Sequence, residues 1–134
     1  MANKKHVRDA VAITGALVPT DQIELQPGRT QVFALILYTE GTEASVDIGV
    51  EVRPDNDSNF VAADWFRYTG PMGSGVTSAS EAVWRFTPTG VPATVSRRCL
   101  QFDIPAHHMA RLTVLGNTIG GGPGLIDAWL VQSV

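Results

Sequence analysis

The sequence predicts an all-β protein: an antiparallel β-sandwich of eight or nine strands, jelly-roll or immunoglobulin-like in topology, with a flexible N-terminal arm. Three observations carry this expectation. From Ser45 to Arg53 the chain alternates strictly, with Val46, Ile48, Val50 and Val52 on one face and Ser45, Asp47, Gly49, Glu51 and Arg53 on the other, which is the period of a half-buried strand. Short runs of the same kind recur at roughly 8–12-residue intervals between clusters of Gly, Pro, Asn and Asp. Almost nothing in the chain has helical periodicity. Residues 1–9 read as a basic arm and 10–134 as a single sandwich domain.

Taken in order, 11–18 reads as an edge-like strand ended by Pro19, and 22–25 as a second short one before the turn at Gln26, Pro27 and Gly28. Residues 31–38 form the most apolar strand: Val32, Ala34 and Ile36 alternate with Phe33, Leu35 and Leu37, so protein is expected on both of its faces. Thr39 to Thr42 then reads as a turn that pairs this strand with 45–52 in a β-hairpin. Residues 54–59 are turn formers, 64–68 a short aromatic strand, and 70–75 a mobile glycine-rich loop. Residues 81–87 alternate Ala82, Trp84 and Phe86 against Glu81, Val83 and Arg85, which puts Trp84 in the core. After the break at 88–92, residues 98–104 point Leu100, Phe102 and Ile104 inward. A helical turn is expected at 104–110, with Pro105 at its start. Strands 111–115 and 125–132 close the chain around a flexible loop at 116–124.

At 134 residues the chain is long enough for one hydrophobic core without staples. A hydrophobic share of 44% is too high for a disordered segment, and a net charge of −3 supplies no basic field for nucleic acid. No apolar run approaches the ~18 residues of a membrane-spanning helix, and the faint signal-peptide shape of 10–18 is weakened by Thr14 and Gly15. Nucleic acid and membrane are therefore not expected partners. Both lysines, Lys4 and Lys5, stand with His6 and Arg8 near the N-terminus, a basic cluster suited to an acidic partner. Cys99, the only cysteine, excludes an internal disulfide. It reads as a packing residue whose pKa Arg97 and Arg98 would depress.

The chain offers few candidates for chemistry. Asp55, Asp57 and Asn59 have the spacing of the first ligands of a calcium loop, but Phe60 and Phe66 occupy the positions that need glycine and glutamate. His107 and His108 have no cysteine or carboxylate cluster at ligand spacing and read as a surface pair. No Gly-x-Ser-x-Gly elbow is present, and no glycine cluster joins a strand to a helix. The expectation is a non-enzyme with no catalytic residue, no metal and no cofactor. Trp65 and Trp129 could stack on sugar rings if they are exposed.

The run Leu37-Tyr38-Thr39-Glu40-Gly41, the strand 45–52, the later Trp65-Phe66, and Phe102-Asp103-Ile104-Pro105 followed by Ala110 to Val114 together resemble the layout of small virion structural proteins of tailed bacteriophages. The likeness extends over roughly 30–132. It implies a capsid decoration, or cement, protein on the capsid exterior, assembled in the host cytoplasm. The implied partners are the major capsid protein and further copies of the chain, a trimer being favoured. Lys4, Lys5, Arg8 and Met72 are the expected partner-binding residues. The alternative is a carbohydrate- or receptor-binding module of a virion that uses Trp65 and Trp129.

Overall fold

The alternation read in the sequence becomes strands in a computed structural model that describes residues 3–25, 31–54, 60–62, 83–103 and 108–132. These are β1 (Asn3–Ala12), β2 (Val18–Glu24), β3 (Gln31–Thr39), β4 (Ser45–Pro54), β5 (Val61–Ala62), β6 (Val83–Phe86), β7 (Val95–Asp103), β8 (His108–Asn117) and β9 (Leu125–Gln132). They form a four-stranded sheet, β1-β9-β3-β7, and a five-stranded sheet, β2-β8-β4-β5, with β6 also on β4. Every pairing is antiparallel.

The pairing is nested: β1 with β9, β2 with β8, β3 with β7 and β4 with β6. This is a single long ribbon folded over on itself, a jelly-roll rather than an immunoglobulin topology. It corrects the expected hairpin, because β3 and β4 lie in different sheets. Both edges of β3 are taken by β7 and β9, and β4 is flanked by β8 and by β5 and β6. Two consecutive strands that each carry an apolar face bury those faces by packing one sheet on the other. The short connection between them therefore crosses the sandwich.

The core lies between the sheets. Val32, Ala34, Ile36 and Tyr38 of β3 face Val46, Ile48, Val50 and Val52 of β4, with Leu112 and Val114 of β8, Ile126 and Leu130 of β9, and Trp84 and Phe86 of β6. Trp84 and Phe86 are fully buried, as the alternation of 81–87 requires. Burying each such large apolar side chain contributes about 1.5–3 kcal/mol.

The N-terminal reading is corrected. From Asn3 the expected arm is an edge strand along β9, and the strand expected at 11–18 is divided between β1 and β2. Pro19 does not end a strand, because β2 lies at a sheet edge, where a missing N–H is tolerated, and its register shifts between Pro19 and Gln22. Of the expected helical turn, 108–110 belongs to β8, and 104–107 lie outside the described residues. The expected strand at 64–68 and the loop at 70–75 also lie outside them.

The loop at 116–124, expected to be flexible, is tied down. Asn117 completes β8, and Thr42 exchanges hydrogen bonds with Gly122, the Thr42 amide donating to its carbonyl at 2.8 Å and the Gly122 amide donating to the Thr42 hydroxyl at 3.2 Å. The Ile13 amide donates to the Gly124 carbonyl at 2.9 Å. Backbone approaches so closely here that a Cβ on Gly41 or Gly124 would overlap main-chain atoms.

Candidate functional site

The two outer faces of the sandwich differ in kind. On the five-stranded sheet the polar residues of β4 pair with their neighbours. Arg85 Nε donates to Asp47 Oδ1 at 2.8 Å and Arg85 Nη2 to Asp47 Oδ2 at 3.1 Å, a bidentate pair. Arg111 Nε donates to Glu51 Oε1 at 2.7 Å, and the Arg111 and Arg53 guanidinium groups lie 3.9 Å and 5.6 Å from the centre of the Phe60 ring. Burial pushes the Asp47 carboxyl up, but the hydrogen bonds from Arg85 and Asn117 outweigh it and hold the group below its ordinary value. The polar side of β4 is thus largely engaged within the sheet.

The outer face of the four-stranded sheet carries an apolar strip along β3, with Arg97 and Asp127 on either side of Leu37. The register sets Leu35 between Cys99 and Trp129, Phe33 between Gln101 and Val131, and Thr39 between Val95 and Leu125. Phe33, Leu35, Leu37, Trp129 and Val131 are half-buried, and Val95 and Leu125 are exposed at 56% and 37%. This arises directly from β3, whose odd-numbered residues are as apolar as its even-numbered ones. The expectation of protein on both faces of β3 holds for the inner face, while the outer one remains open to solvent. An open groove of about 520 Å³ runs over it, floored by Leu35, Leu37, Cys99 and Trp129, with Lys4 towards β1 and Arg97 towards β7.

Cys99 is exposed on this face, not packed in the core. Partial desolvation pushes its thiol above the ordinary value, the reverse of the depression expected from its arginine neighbours. At the other side of the groove the His6 imidazole stacks on Trp129, with ring centres 4.6 Å apart and planes inclined by 13°. His6 Nε2 is hydrogen-bonded to Asp127 Oδ1. That bond raises the imidazole above its ordinary pKa against the opposing effect of desolvation. Asp9 lies close by, and one ligand atom from each of His6, Asp9 and Asp127 falls within 4.8 Å of the others. This grouping leaves no signal in the sequence, because Asp127 is 121 residues from His6. Only the β1–β9 register joins them.

The residues expected to bind a partner separate in the structure. Lys4 lines the groove. Lys5 Nζ donates to the Gln22 carbonyl at 2.9 Å, tying β1 to β2. Arg8 is 6% exposed, and its Nη2 donates to the carbonyls of Val11 at 3.2 Å and Ala12 at 3.0 Å, so its charge caps its own strand instead of facing a partner. A β-bulge turns it inward. Trp129 is at the groove, while Trp65, Met72, Asp55, Asp57, Asn59 and His107 lie outside the described residues.

No protein-family model and no curated protein matches the chain. Among solved structures, the chain is similar to infectious bursal disease virus VP2 in a subviral particle, with a TM-score of 0.55 and 8% identity over 98% of this chain and 32% of that one. It is also similar to a chain of the infectious bursal disease virus Gx strain, with a TM-score of 0.51 and 10% identity over 100% of this chain and 33% of that one. A third likeness is to the CBM36-1 domain of a multidomain xylanase from the hindgut metagenome of Trinervitermes trinervoides, with a TM-score of 0.52 and 7% identity over 98% of both chains. The chain spans about a third of the length of the two viral proteins. At these identities the shared property is the β-sandwich fold.

Proposed function

We propose that this protein is a virion structural protein, a capsid decoration or cement protein, that docks the outer face of its four-stranded sheet on the outer surface of the head. The observation that carries this reading is the contrast between the two outer faces. One is satisfied by its own ion pairs. The other presents Phe33, Leu35, Leu37, Trp129 and Val131 around an open groove with lysine and arginine at its sides. Contiguous exposed apolar surface of this kind marks an interaction site, and the flanking cations favour a partner with acidic residues at its rim. Contacts repeated over a symmetric lattice add through multivalency, so each docking event can be weak. The likeness in fold to a viral capsid protein supports a virion component, and the resemblance of the sequence to decoration proteins supports a homo-oligomer, a trimer being favoured.

Co-sedimentation tests the proposal. The protein should pellet with shells assembled from the major capsid protein of the same virus. If it stays in the supernatant at every salt concentration, the proposal is wrong.

A second reading rests on Trp129 in the groove and on the end-to-end likeness to a carbohydrate-binding module. Under it, glycan-array binding would be lost on Trp129→Ala, and a blank array counts against it.

A further inference from the structure

We propose that His6, Asp9 and Asp127 form a binding site for a divalent transition-metal ion of the zinc class, clamping the N-terminal edge strand to β9. In a regular strand His6 and Asp9 would point to opposite faces. Here the register shifts twice, between His6 and Arg8 and again between Arg8 and Val11, and Ala10 takes a φ of 45°. Val7 and Arg8 are both buried at consecutive positions, which reverses the parity. Asp9 then emerges beside His6. Asp127 reaches the same point from β9, two residues from the tryptophan on which His6 is stacked.

The grouping suits a metal better than it suits itself. Two carboxylates and an imidazole converge within 4.8 Å, and without an ion only one of those carboxylates bonds the ring. Tetrahedral coordination at about 2.0–2.2 Å per donor sets donor atoms about 3.3–3.6 Å from each other. Small rotations of these exposed or half-buried side chains open the His6–Asp127 contact to that distance and bring Asp9 in to it. The imidazole is already oriented by its stacking on Trp129. One nitrogen and two oxygen donors fit zinc and its neighbours, whereas calcium takes six to eight oxygens. Solvent supplies the fourth position. On binding, the metal takes the Nε2 lone pair, and any proton there is released to water.

The site borders the docking face through Trp129, but its test needs no capsid, so it stands or falls on its own result. Titration of the protein with zinc chloride by calorimetry should show one saturable ion per chain. Asp9→Asn and Asp127→Asn should each weaken binding about 10–100-fold, with circular dichroism unchanged. The double variant His107→Ala/His108→Ala should bind as the parent does. Absence of saturable binding, unchanged affinity in Asp9→Asn, or loss of binding in the His107/His108 variant overturns the proposal.

Discussion

The Tyr38 hydroxyl donates a hydrogen bond to the Glu43 carboxylate five residues further on, across the point where the chain leaves one sheet for the other. The same carboxylate accepts the Gly41 amide at 3.0 Å and the Gly124 amide at 2.9 Å. Glu43 is 3% exposed. One buried acid thus joins the end of β3, the crossing turn and the entry to β9. A tight hairpin would satisfy its turn by pairing its own two strands, whereas this turn is satisfied by a side chain and by a loop far along the sequence.

Removing either partner should therefore cost more than an ordinary surface change. Tyr38→Phe leaves the acid without one donor, and Glu43→Gln sets an amide against N–H groups that need an acceptor. Each should lower unfolding free energy in urea by about 1–3 kcal/mol. A loss below about 0.5 kcal/mol, the range of neutral surface substitutions, would show that the bond does not hold the crossing.

Stability should depend on pH through the same group. Burial alone would push the Glu43 carboxyl up, but the hydrogen bonds from Tyr38, Gly41 and Gly124 prevail, and the folded value lies below the ordinary one. The unfolded chain then binds more protons than the folded one in this range, so the contribution is complete above about 4.5 and is lost as pH falls through the folded value. Tyr38 acts in the opposite direction: desolvation and Glu43 raise its phenol, so its share is lost as pH rises beyond the ordinary 10.0. Urea midpoints measured between neutral pH and about pH 3 should fall towards acid, and less steeply in Glu43→Gln. Equal slopes would assign the acid loss to other carboxylates.

Close backbone approach at the crossing predicts a sharp difference between glycines. A Cβ on Gly41 would overlap Gly122, Pro123 and Gly124 main-chain atoms, and one on Gly124 would meet Thr39 O and Glu43, whereas Gly121 has open space. Gly41→Ala and Gly124→Ala should each destabilise by several kcal/mol, and Gly121→Ala by less than about 0.5 kcal/mol. Thermal unfolding of the three variants compares them directly.

These predictions fall where the sequence was least legible. Alternation at 45–53 shows which residues of β4 face the core, because period two fixes a face. It does not identify the neighbouring strand, since β4 pairs with β8 through Ser45↔Asn117 to Pro54↔His108, a choice made by the whole ribbon. Pro19 reads as a stop until the strand is known to lie at an edge. The apolar odd positions of β3 were visible, and they signalled a surface as well as a core. His6 and Asp127 carry no local signal of each other, because a bulge and a register join them.

The docking face should separate from the fold under mutation. Leu35→Lys places a charge on the groove floor without touching the inner core, so stability should change by less than about 1 kcal/mol while co-sedimentation with shells is lost. Binding by the parent should persist at about 0.5 M salt, because apolar contact is screened little. Dissociation at moderate salt would instead assign the attachment to the basic residues alone.

The most direct test of docking by this face uses Cys99, the only cysteine, on the groove floor. Its alkylation by iodoacetamide should be measured for the free protein and for the protein bound to capsid shells. The free protein should be modified, and the rate should be lower by about an order of magnitude on the shell, where the groove is covered. The same rate in both states would contradict docking by this face.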